Sequence, residues 1–75
     1  MESKHSRFVR LGEKRTNDLI AKIRLIGNLA NRHNYEYSPT EVKQIFEAID
    51  AELQTAKDKF QSQEDGAPEK FKLKE

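Results

Sequence analysis

The stretch Ser38-Pro39-Thr40-Glu41 specifies where one helix must begin. A serine hydroxyl at the N-cap can accept from an orphan amide of the first helical turn. Proline suits the position after it, where its missing N–H leaves no bond unmade. Glu41 follows Ser38 by three residues and completes a capping box. Tyr37, just before the cap, is placed to pack back on position 42 or its neighbour as a hydrophobic staple.

Forward from this start, Val42, Phe46, Ile49, Leu53, Ala56 and Phe60 recur at alternating steps of four and three, which predicts a helix from Pro39 to about Gln61. Behind it, Val9, Gly12, Thr16, Leu19, Ile23, Ile26 and Ala30 keep the same rhythm and predict a helix from about Arg7 to Arg32. Arg32-His33-Asn34-Tyr35-Glu36-Tyr37 connects them, with Asn31 or Asn34 able to adopt the left-handed conformation that ends a helix. Arg32 and His33 would also place positive charge at the C-terminus of the first helix. So short a connection makes the neighbours antiparallel. The expected fold is therefore all-α: an antiparallel hairpin of helices over about 7–32 and 39–61, between a flexible N-terminus (1–6) and a disordered, charged C-terminal tail (62–75). Within that tail, Phe71-Lys72-Leu73-Lys74 is a candidate docking motif.

The two seams can be laid against each other. If the chain turns about residue 36, Ala30 meets Val42, Ile26 meets Phe46, Ile23 meets Ile49, Leu19 meets Leu53, Thr16 meets Ala56 and Gly12 meets Phe60. The largest side chain then faces the smallest residue, as interdigitating layers require. At the flanks Lys22 faces Glu52 and Glu13 faces Lys57, while Leu29 faces Ile45. Arg15 opposite Lys59 is a like-charge pair that this register leaves unexplained. Leu11, Ile20, Leu25, Leu29 and Ile45 lie beside or outside the seam. Burying such a side chain is worth roughly 1.5–3 kcal/mol, a sizeable share of the marginal stability of a small domain. These five residues are the expected oligomer interface, joining two hairpins into a homodimeric four-helix bundle; a different protein partner is the rival occupant.

Composition bounds the alternatives. Seventy-five residues make at most one small domain. With no cysteine, disulfide frameworks and thiolate metal sites are excluded. Met1 to Ser6 has no apolar signal region, and no apolar run approaches the roughly 18–20 residues of a membrane span. A cytoplasmic protein with no membrane association is the default expectation. Net charge is +1, yet residues 1–34 hold eight Lys/Arg against Glu2, Glu13 and Asp18, whereas residues 35–75 hold six Lys against ten Asp/Glu. Opposite charge on the two halves suits either mutual attraction or an acidic partner for the first.

Catalysis finds little support. His5 and His33 have no partner at a spacing that builds a metal site or a nucleophile–base pair. The second helix has no Glu-x-x-His arrangement of seam carboxylates, and there is no glycine-rich phosphate loop. No catalytic residue, cofactor or metal is expected. A more specific surface is the outer stripe of the first helix, where Arg10, Lys14, Asn17, Arg24, Asn28 and Asn31 follow one another with no carboxylate among them. Arg and Lys can neutralise phosphates, and asparagine amides can contact phosphate, sugar or base edges, so this stripe is a candidate nucleic-acid-binding face. Tyr35, in the connection, could stack on an exposed base. Gly27 within the first helix suits close approach of a partner helix or room for Phe46, with backbone access for a ligand as the other reading.

The segments Arg15-Thr16-Asn17, Ile23-Arg24-Leu25-Ile26-Gly27-Asn28 and Asn31-Arg32-His33-Asn34-Tyr35-Glu36-Tyr37-Ser38 resemble a group of short bacterial proteins. Their pattern has the form RTN…IRLIGN…NR-x-NYEY-[ST], followed by a helix rich in Ile, Phe and Glu, and the likeness covers roughly residues 7–60. Some of the group are associated with prophages or mobile elements. The resemblance implies no activity, because none is attached to the group. In architecture alone, a basic first helix in a dimeric hairpin is similar to the plasmid repressor-of-primer protein, which binds paired RNA loops; folds do not fix function, and no residue correspondence follows.

Two readings emerge. The first is a small, non-enzymatic helical protein that acts as a homo-oligomer through protein–protein contacts, in regulation or as an adaptor. The alternative is a nucleic-acid-binding module, for RNA or duplex, using the outer stripe of the first helix.

Overall fold

Ser38 and Glu41 cap each other. In a computed structural model that describes residues 1–64, the Ser38 N–H donates to Glu41 Oε1 at 2.8 Å and the Glu41 N–H donates to Ser38 Oγ at 3.1 Å. The Val42 N–H donates to the Ser38 carbonyl at 3.2 Å, closing the first turn behind Pro39. Helix α2 therefore starts where its sequence signal places it and spans Pro39–Glu64. Tyr37 and Val42 are both half-buried, the burial expected when the residue before the cap packs on the fourth helical position. Glu41 also puts a negative charge in the first turn, where the helix dipole favours it.

Helix α1 spans Lys4–Asn28, so it begins and ends earlier than the apolar rhythm suggests. Two serines compete for its N-cap, and Ser3 takes the position: its backbone is extended (ψ 167°) and its Oγ accepts from the Ser6 N–H at 3.0 Å. Lys4, His5 and Ser6 are consequently helical, where the sequence suggests a flexible N-terminus. At the other end Leu29 keeps right-handed backbone angles (φ −70°, ψ −8°). The N–H groups of Leu29 and Ala30 reach back three residues, to Ile26 and Gly27 at 3.0 and 3.1 Å, as in a tightened last turn.

Asn31 then diverts the chain. Its Oδ1 accepts from the His33 N–H at 2.9 Å, and its carbonyl accepts from both Asn34 and Tyr35 at 3.1 and 3.0 Å. An asparagine side chain that bonds two residues ahead offers the backbone a turn in place of another helical turn. That competition explains why α1 stops short of the expected Arg32. No basic residue lies in its last turn, and Arg32 and His33 belong to the connection.

The organisation is all-α, with two helices and no strand among the described residues. The chain divides between Glu36 and Tyr37 into two units, each carrying one helix. Ser62, Gln63 and Glu64, assigned to the tail from sequence, extend α2 by three residues. The rest of that tail, with Phe71-Lys72-Leu73-Lys74, lies outside the described residues. None of the described residues is buried. The seam residues Ile26, Val42 and Ile49 are half-buried, but others retain exposures from 39% at Ile23 to 64% at Phe60.

The capping box makes a local prediction. Ser38→Ala should destabilise the start of α2 by about 1 kcal/mol, seen as lower helicity by circular dichroism, and Glu41→Ala should show part of the same loss. Equal helicity in all three chains would contradict the reciprocal cap.

Candidate functional site

The outer stripe of α1 is the first candidate. Arg10, Lys14, Asn17, Arg24 and Asn28 lie within α1, whereas Asn31 sits beyond its end with its side-chain oxygen committed to His33. Carboxylates from outside the stripe reach two of its three cations. Arg10 donates from Nε and Nη2 to the two oxygens of Glu2, at 2.8 and 3.0 Å, a bidentate pair. That hydrogen bond raises the Arg10 pKa above its ordinary value and opposes the small lowering from desolvation. Lys14 Nζ lies 2.9 Å from Asp18 Oδ2, one turn along the helix. Arg24 is in none of the ion pairs found among the described residues. The missing counter-charge that made the stripe distinctive in sequence is therefore supplied, in part, by Glu2 and Asp18.

Both pairs are exposed, and such pairs contribute little to stability. Their consequence is electrostatic: a phosphate approaching Arg10 or Lys14 must compete with a carboxylate already in place. Asp18 could have been found in the sequence from its four-residue spacing to Lys14. Glu2 could not, because it precedes the helix and its reach to Arg10 depends on the direction given to the backbone at Ser3.

The second candidate is apolar. Leu25 is 60% exposed, and Ile20, Leu29 and Ile45 are also exposed, while Leu11 is half-buried. Phe8, which the sequence reading left out of the seam, lies inside α1 because the helix starts at Lys4, and it is 57% exposed. An added Cβ at Gly12 or Gly27 would meet nothing within 4 Å beyond its own helix backbone and chain neighbours. In the connection, Tyr35 is exposed and its N–H is used in the Asn31 turn, whereas half-buried Tyr37 belongs to the start of α2.

Among the described residues no group of three or more His, Asp or Glu side chains is arranged to hold a metal ion. Among the same residues no helix is long and apolar enough to cross a membrane. No family model, no curated protein and no solved structure matches the chain.

Asn31→Ala should remove the turn that competes with helix and let α1 run on toward Arg32. We expect Cα chemical shifts of residues 29–32 to move in the helical direction and the His33 amide to lose exchange protection. Unchanged shifts would contradict the assigned role of Asn31.

Proposed function

We propose that this chain is a small, non-enzymatic helical protein that works as a homo-oligomer, most simply a homodimeric four-helix bundle, and regulates or adapts through protein–protein contacts. One observation carries the reading: two helices of 25 and 26 residues bear apolar stripes, yet no described residue is buried. Helices in water owe most of their stability to covering an apolar face. With no disulfide available, association with a second copy is one source of stability open to a chain of this size. Leu25 and Leu29 in α1 and Ile45 in α2 then form the contact between protomers, with Leu11 and Ile20 extending it. A two-fold axis presents the same patch from both chains.

Leu25→Lys or Leu29→Lys should weaken this association by roughly 2 kcal/mol per buried side chain lost. Sedimentation equilibrium should then show monomers or an unfolded chain, and an unaltered dimer in both variants would refute the interface.

Nucleic-acid binding by the outer stripe of α1 is the alternative, with less support now that Arg10 and Lys14 carry carboxylate partners. A mixed nucleic-acid pool separates the two readings. On the protein-contact reading, little binding is expected at about 50 mM salt; strong binding that collapses near 200 mM, and falls further in Arg24→Glu, would favour the alternative.

A further inference from the structure

We draw no further inference here: the strongest candidate, the apolar stripe of α1 that runs through Leu19 and Ile23, carries nothing, because nothing in the structure shows what covers it.

Discussion

Two hydrogen bonds between Ser38 and Glu41 govern the rest of α2. They set the residue at which the helix begins and hence the rotational phase of every side chain after it. Val42 becomes the first apolar residue of the stripe, and Phe46, Ile49, Leu53 and Phe60 inherit its direction at helical spacing. Pro39 reinforces the start, since it cannot occupy a helix interior without breaking a hydrogen bond. A cap displaced by a single residue would rotate the stripe by about 100° relative to the chain entering it.

Helix α1 is bounded by weaker devices. A single serine oxygen caps its start, and an asparagine turn draws the chain away from its end. Its first turn contains no acidic residue, an unfavourable arrangement for the dipole. Glu2, just ahead of the cap, places one carboxylate at this end while pairing with Arg10. One side chain therefore tempers both the dipole and the most N-terminal cation of the outer stripe. That dual use explains why a surface that looks purely cationic in a linear reading is less so in three dimensions.

The apolar rhythm, the opposite charges of α1 and α2, and the exposed Leu25, Leu29 and Ile45 belong to one physical problem. Helical hydrogen bonds nearly balance those made with water, so net stability must come from covering apolar area. A chain that presents two long stripes and buries no described residue has surface left for association. Opposite net charge on α1 and α2 favours contact between unlike helices over contact between like ones.

Sequence by itself determined the all-α class, the start of α2 and the phase of both apolar stripes, because capping and periodicity are interactions of short range along the chain. It overran α1 at its C-terminus, since Ala30 keeps the rhythm and the pattern leaves Asn31 and Asn34 equally able to end the helix, whereas it is Asn31 that bonds to His33. It also missed Ser3 as the cap, because Ser3 lacks a glutamate three residues on and Ser6 stands nearby as a competitor. Only the three-dimensional structure decided that Glu2 meets Arg10 and that no described residue is buried. Those outcomes depend on where the backbone is aimed and on which surfaces find cover, and neither is written in the spacing of residue types.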